Sequence, residues 1–323
     1  SHDYQIGLYR VADFSRLARF NFEGSVERLA LTPDRKNVIA GGNHYELKMY
    51  NIDANADAAV RYTEVARFVG HAGKVEALAV SPNGEWLVSG GHDFDIRLWP
   101  IKTKQINKSS ELTIIKSASK TDAHRGHVTC LAFNDDGTLL VSGGSDHGVM
   151  CWKLKKGLLS GIGLSEVWHD NATHASVVTS VTFGHGPSKD LIFSGSWDST
   201  ICVWTAAVQH QRQRNEKKHA VGHASTCGGP MKKLESHVHK VTDVTVSPDG
   251  KYLLSASADS SVRCWNTSDS FDCVASYIVP SSEGSFTSVS CADTKFITGS
   301  DNAVLRMWPL PGVGEFKKMF ETK

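Results

Sequence analysis

The sequence lacks long apolar segments and a strong charge of either sign, and its first ten residues do not have the pattern of a signal peptide, which leaves open a signal upstream of Ser1. No apolar run approaches the roughly 18 residues that a membrane-spanning helix requires, so no membrane span is predicted. The 35 Lys and Arg nearly balance the 34 Asp and Glu, which gives no overall attraction to nucleic acid or acidic membranes. The first residues, SHDYQIGLYR, lack the basic and apolar regions of a signal peptide.

The seven cysteines do not have the spacing of a disulfide scaffold. Cys151 and Cys264 directly precede a tryptophan, and Cys202 lies two residues before one. We therefore expect small apolar side chains within strands rather than halves of disulfides. Reduced thiols favour an intracellular protein, cytoplasmic or nuclear.

One eleven-residue pattern occurs four times, as SGGHDFDIRLW, SGGSDHGVMCW, SGSWDSTICVW and SASADSSVRCW. The copies occupy residues 89–99, 142–152, 194–204 and 255–265. In every copy an Asp follows the first Ser by four residues and precedes the Trp by six. A pattern repeated at fixed internal spacing indicates a repeat architecture.

Each repeat reads as four short strands joined by turns such as SPNG, NDDG and SPDG, which are typical of antiparallel meanders. The fourth strands are predicted near ELTIIK (111–116), LSEVW (164–168), CVASYIV (273–279) and EFKKMF (315–320). The aromatic residue that closes the third strand occurs seven times, at Tyr9, Tyr50, Trp99, Trp152, Trp204, Trp265 and Trp308.

The sequence therefore predicts one repeat domain over 1–323, with a partial unit at 1–20 and six fuller units over 21–323. Because the chain opens inside a unit, we expect an excerpt of a longer protein whose preceding residues complete the seventh unit. Otherwise the ring is incomplete or six-bladed. The longest insertions, 102–120 and 206–230, are polar and read as solvated loops.

With the Gly70-His71 pair, the repeated Asp and the Trp that ends the third strand, the chain resembles WD-repeat β-propellers over its whole length. The resemblance implies an all-β, seven-bladed propeller with four-stranded antiparallel blades. It also implies that each His joins the Asp to the Ser, and that the Ser accepts the indole N–H of the Trp. The four sets are His71, Ser89, Asp93 and Trp99; His124, Ser142, Asp146 and Trp152; His174, Ser194, Asp198 and Trp204; and His237, Ser255, Asp259 and Trp265.

Ser, His and Asp are also the members of a hydrolytic triad. A catalytic site is one constellation with an exposed nucleophile, whereas this set recurs four times. No G-x-S-x-G elbow accompanies it. The structural interpretation is therefore favoured, and we expect no enzymatic activity.

The resemblance places the residue before each turn Asp on the ligand-binding rim. These residues are His92, Ser145, Trp197, Ala258 and Asp301, with Phe94 and His147 just after their Asp as weaker members. Trp197 stands out because it is not a strand-closing tryptophan, and exposed aromatic residues commonly anchor partners. The alternative for Trp197 is packing against an adjacent loop.

The expected function is a non-enzymatic scaffold or complex subunit that binds a protein or peptide partner on this rim, by family analogy. The alternative is a ribonucleoprotein subunit that contacts RNA through the basic loop 206–230, with Arg212, Arg214, Lys217 and Lys218. In the same loop, His219, His223 and Cys227 have a zinc-like spacing but lack a fourth ligand. Neither a metal nor a cofactor is expected.

Overall fold

The computed structural model describes residues 5–10, 16–53, 61–101, 112–117, 119–157, 161–207, 229–235, 237–268, 270–292, 294–312 and 321–322. These residues form β-strands and two short 3-10 helices, Gly186–Ser188 and Ser281–Glu283. No helix among them is long and apolar enough to cross a membrane. The chain divides into two compact units, the first comprising 1–138 and 154–165 and the second comprising 139–153 and 166–323.

The first unit contains a hairpin followed by two larger sheets. The hairpin is β1 (Gln5–Tyr9) and β2 (Arg16–Asn21). The next sheet is β3 (Val26–Leu31), β4 (Asn37–Gly42), β5 (Leu47–Asp53) and β6 (Arg61–Val69), with β10 (Thr113–Lys116) beside β6. The other sheet is β7 (Val75–Val80), β8 (Trp86–Gly91), β9 (Asp95–Pro100) and β11 (Ser119–Asp122). The unit also contains β12 (Val128–Phe133).

The prediction that 111–116 supplies the fourth strand of the sheet containing Trp99 is wrong. This segment forms β10, which pairs in parallel with β6 of the preceding sheet. The fourth strand is β11, antiparallel to β9. The parallel register places Ile115 beside Phe68, and both belong to a core cluster that also includes Leu87 and Trp99 of the neighbouring sheet. β10 thus buries Ile115 against both sheets while it pairs with β6, and the edge of β9 pairs with the polar β11.

The second unit contains three complete four-stranded antiparallel sheets. They are preceded by β13 (Leu139–Gly144) and β14 (Val149–Gly157), which form a hairpin, and by β15 (Gly161–Asp170). The first sheet is β16 (Val178–Phe183), β17 (Leu191–Ser196), β18 (Thr200–Thr205) and β19 (Lys232–Glu235). The second is β20 (Val241–Val246), β21 (Tyr252–Ser257), β22 (Ser261–Asn266) and β23 (Cys273–Ile278). The third is β24 (Phe286–Ala292), β25 (Lys295–Ser300), β26 (Leu305–Pro309) and β27 (Glu321–Thr322).

The other three predicted fourth strands have different outcomes. The predicted strand at 273–279 is β23, and the one at 164–168 lies within β15. The predicted strand at 315–320 lies outside the described residues, and β27 pairs with β26.

Glycines in the second strand of a sheet allow the next sheet to pack closely. A Cβ on Gly90 would lie 2.4 Å from Val128 Cγ1, and one on Gly195 would lie 2.7 Å from Val241 Cγ1. Because both distances are too short for a carbon contact, only glycine leaves room for these buried valines. The spacing between neighbouring sheets is thus fixed locally by a glycine and a valine.

Candidate functional site

Three of the predicted four-residue networks are complete in the structure. In one, His174 Nδ1 lies 3.0 Å from Asp198 Oδ2 and Nε2 lies 2.8 Å from Ser194 Oγ. Trp204 Nε1 donates to the same serine oxygen at 2.8 Å. The His71 and His237 networks have the same connections.

In the remaining set, Trp152 Nε1 donates to Ser142 Oγ at 2.9 Å. Asp146 Oδ1 accepts from the backbone N–H of Gly148, and His124 is buried.

The burial of the serine, and not the order of the hydrogen bonds, decides between support and catalysis. The indole N–H can only donate, so Ser194 Oγ accepts it. In the tautomer that carries its proton on Nδ1, His174 accepts the Ser194 hydroxyl at Nε2. His174 Nδ1 then donates to the Asp198 carboxylate. Although this is the order of a hydrolytic triad, Ser194 is 0 % exposed. A substrate carbonyl has no access to that oxygen, and the geometry supports a structural network around a buried tryptophan.

Each network also secures the turn that carries its aspartate. Burial by itself would raise the pKa of Asp198, but hydrogen bonds from His174, the Thr200 hydroxyl and the Ala175 backbone N–H outweigh it and lower the pKa. The pKa values of Asp93 and Asp259 are lowered in the same way, by their histidines against burial. The carboxylates are therefore ionised, and their hydrogen bonds connect the turn to the segment that contains the histidine.

Two repeats without the His–Asp pair contain an ion pair between a buried cation and a more exposed glutamate, which sequence reasoning missed. Lys48 is 2 % exposed and bonds to Glu23, while Arg306 is 1 % exposed with Nη2 2.9 Å from Glu283 Oε2. Both cations lie two residues before the strand-closing aromatic, and both glutamates lie three residues before the first strand of the sheet. This shared spacing was the available signal.

The turns between second and third strands have one backbone conformation in six repeats. The residue after the Asp position has a positive φ, between 63° and 68°, at Tyr45, Phe94, His147, Ser199, Ser260 and Ala303. The Phe94 N–H donates to Gly91 O at 3.2 Å, and the Ser199 N–H donates to Ser196 O at 3.2 Å. In each turn the two residues between the donor and the acceptor are therefore held in place by a backbone hydrogen bond.

The predicted rim residues lie in these turns, with different degrees of exposure. Trp197 is 50 % exposed and Phe94 is 42 % exposed. Asp301 is also exposed, but it accepts hydrogen bonds from the N–H and hydroxyl of Ser285, which lower its pKa. The other members, which are partly buried, are His92, Ser145, His147 and Ala258. His92 and Phe94 belong to the first unit, and the rest belong to the second.

Three rim residues, Trp197, His92 and Phe94, contact the residue that directly precedes the first strand of the next sheet. In the second unit, Lys240 Nζ lies 4.9 Å from the centre of the Trp197 ring. In the first unit, His92 stacks on His127, with ring centres 3.7 Å apart. One face of the Trp197 ring therefore contacts Lys240, while half of the side chain is exposed to solvent. The alternative interpretation, in which Trp197 packs against an adjacent loop, explains only the contacting part of the ring.

Comparison with known proteins agrees with this geometry. The family model described as "WD domain, G-beta repeat" matches residues 62–100, 116–153, 168–205 and 228–266. The chain belongs to the WD-repeat family. Its repeated antiparallel sheets confirm the predicted all-β propeller fold class, and seven blades remain a prediction.

Relatives of this WD-repeat chain include proteins with three different names. Transducin beta-like protein 3 of Bos taurus is 26 % identical over 57 % of the chain and 21 % of its own length. Probable cytosolic iron-sulfur protein assembly protein 1 of Candida glabrata is 27 % identical over 48 % of the chain and 42 % of its own length. Small ribosomal subunit protein RACK1 of Candida albicans is 39 % identical over 24 % of the chain and 20 % of its own length. The chain thus spans about a fifth of the length of the first relative.

The cysteines of the WD repeats fit the predicted apolar role. The six within the described residues are free thiols. Burial raises the pKa of Cys151 and of Cys202 to about 12, so both are protonated at neutral pH.

The basic residues Arg212, Arg214, Lys217 and Lys218 lie outside the described residues, as do His219, His223 and Cys227. The structure therefore leaves both hypotheses about the 206–230 loop as predictions.

Proposed function

We propose that this WD-repeat chain is a non-enzymatic, intracellular scaffold subunit that binds a protein or peptide partner at the turn carrying Trp197. The half-exposed Trp197 ring carries this proposal. The tryptophans that close the third strands are structural, because each donates its indole N–H to a buried serine hydroxyl. Trp197 is not one of these strand-closing tryptophans. A large aromatic side chain on a rigid turn loses little conformational freedom on binding, which favours its use as an anchor.

The neighbours of Trp197 indicate the chemistry of the partner. Lys240 brings a positive charge to the ring, and Val238 adds an apolar side chain that is 83 % exposed in the same segment. This arrangement suits a segment with an apolar side chain for the indole and a carboxylate for Lys240.

Affinity purification from the native cell tests the proposal, with wild type, Trp197→Ala and Val274→Ala compared by quantitative mass spectrometry. Val274 is a matched control because its exposure, 47 %, is close to that of Trp197. Its position differs, since it lies in β23 beside the end of β22 that contains Trp265 and not in a turn between a second and a third strand. We expect Trp197→Ala to lose one or more partners at least tenfold while Val274→Ala retains them. An unchanged partner set for folded Trp197→Ala would refute the assignment.

A second candidate is an RNA contact through the 206–230 loop. It is favoured by the 77-residue similarity to a protein named as a small ribosomal subunit protein and by the loop's basic residues. Replacing Arg212, Arg214, Lys217 and Lys218 with Gln would weaken RNA binding and flatten its salt dependence, because fewer counterions would be released. Equal salt slopes for the variant and wild type would contradict it.

A further inference from the structure

A compact group of metal-binding side chains lies in the first unit, outside the Trp197 surface. Glu76, His92 and His127 each offer one ligand atom, and these atoms lie within 4.8 Å of one another. Among the described residues, no other three His, Cys, Asp or Glu side chains form such a group.

The fold brings these three residues together from two repeats. Glu76 is the second residue of β7, His92 follows β8 in the turn, and His127 directly precedes β12. His92 Nε2 lies 2.9 Å from Glu76 Oε1, and the His92 ring stacks on that of His127. Strand pairing within β7 and β8 fixes the first two positions.

We propose that Glu76, His92 and His127 form a binding site for a divalent transition-metal ion of the zinc type. Two imidazoles and one carboxylate are a common protein ligand set for zinc with an open coordination position. The rings of His92 and His127 are stacked at 18°, so one ring must turn out of the stack before a single ion can lie in the plane of both. All three side chains are partly exposed, and this rotation would open the contact of His127 with His92 and Phe94 without moving the strands. The fourth position is then available to water or to a side chain from a partner.

Lys74 makes the proposal sharply testable. Its Nζ lies 3.2 Å from Glu76 Oε1 and also 3.2 Å from Glu27 Oε1. A bound cation would replace Lys74 as the partner of Glu76, and Lys74 would keep Glu27. Because the ammonium repels a nearby metal ion, Lys74→Met is expected to tighten metal binding. A nonspecific histidine contact elsewhere in the chain would not respond to this change.

The measurement is titration of Zn²⁺ by calorimetry, with Co²⁺ absorption as a second readout. The full chain should carry His219→Gln, His223→Gln and Cys227→Ser, so that the other zinc-like cluster cannot contribute. On this background we expect one bound ion per chain and a cobalt spectrum without thiolate bands. Glu76→Gln, His92→Gln and His127→Gln should each weaken affinity by at least about tenfold.

His239→Gln is the matched control, since His239 is an exposed histidine of the second unit. Its affinity should equal that of the background, and Lys74→Met should bind more tightly. Circular dichroism and urea unfolding establish that each variant is folded. Absence of zinc binding in the folded background protein would overturn the proposal. Equal affinity of the three ligand variants and the background, or no gain with Lys74→Met, would overturn it as well.

Discussion

Replacing Ser194 with alanine is expected to destabilise the protein without introducing a clash. The serine oxygen accepts the Trp204 indole N–H at 2.8 Å and lies 2.8 Å from His174 Nε2. Its loss leaves two buried polar atoms without their partner. Each such atom costs about 1–3 kcal/mol, so the expected loss in the free energy of unfolding is about 3 kcal/mol. That is a large part of the typical stability of a domain.

Thr298→Val is a comparison variant for which we expect a smaller loss in the free energy of unfolding. Thr298 Oγ1 accepts the Trp308 indole N–H at 2.9 Å, in a repeat whose buried cation is Arg306. The valine keeps the side-chain shape and leaves one indole donor unpaired. The expected loss is about half that of Ser194→Ala, near 1.5 kcal/mol.

Urea unfolding followed by fluorescence and circular dichroism measures both variants, and a double-mutant cycle isolates the indole bond. In a Trp204→Phe background, Ser194→Ala should cost about 1 kcal/mol less than in wild type, because the N–H donor is already absent. A Ser194→Ala protein as stable as wild type, or a coupling energy near zero, would refute the structural role of the network. Such a result would reopen the hydrolytic interpretation of Ser194.

Three further changes test other parts of the fold. The pKa of Asp198 is lowered from its usual 3.8, so its stabilisation is complete above that pH and is lost as the pH falls further. Asp198→Asn should flatten the acid dependence of urea unfolding below about pH 4 by up to about 1.4 kcal/mol per pH unit, and parallel slopes would contradict this. Glu283→Ala should cost about 2 kcal/mol more than Arg306→Met, because it removes the carboxylate partner of a buried guanidinium that still donates to Ser300 Oγ; equal urea midpoints would count against it. Gly90→Ala should cost about 2 kcal/mol through overlap with Val128, and a midpoint like that of wild type would show that the sheets can separate there.

Features that repeat with fixed spacing were predictable from the sequence. The Trp204 network and its counterparts follow from Ser, His and Asp at constant separations, and the strand bounds follow from turn residues such as Gly84, which has a φ of +69°. Repetition reveals these features because each copy solves the same packing and hydrogen-bonding problem.

Features that depend on one repeat differing from the others were not predictable in the same way. Segment 113–116 pairs with the preceding sheet, where Ile115 lies beside Phe68 in a core cluster shared with Trp99, and no local pattern indicates that choice. The ion pair of Lys48 and Glu23 has a counterpart in Arg306 and Glu283, so its spacing does repeat, but only in the two repeats without the usual motif. The contact between His92 and His127 joins residues that are 35 positions apart in the sequence, so only the folded chain reveals it.

Within each repeat, the residues of the positive-φ turn have two different roles. The aspartate and the left-handed residue that follows it shape the turn, while the residue before the aspartate contributes its backbone to the fold, as Trp197 does through its N–H bond to Val177 O. The backbone bond does not depend on which side chain stands there, although Asp301 also bonds to Ser285 through its carboxylate. Substitutions at such a position alter the chemistry presented to solvent and leave the sheet intact. A chain built this way can acquire a new recognition surface by single substitutions, and the same turns offer sites at which an engineered binding residue can be transferred from one repeat to another.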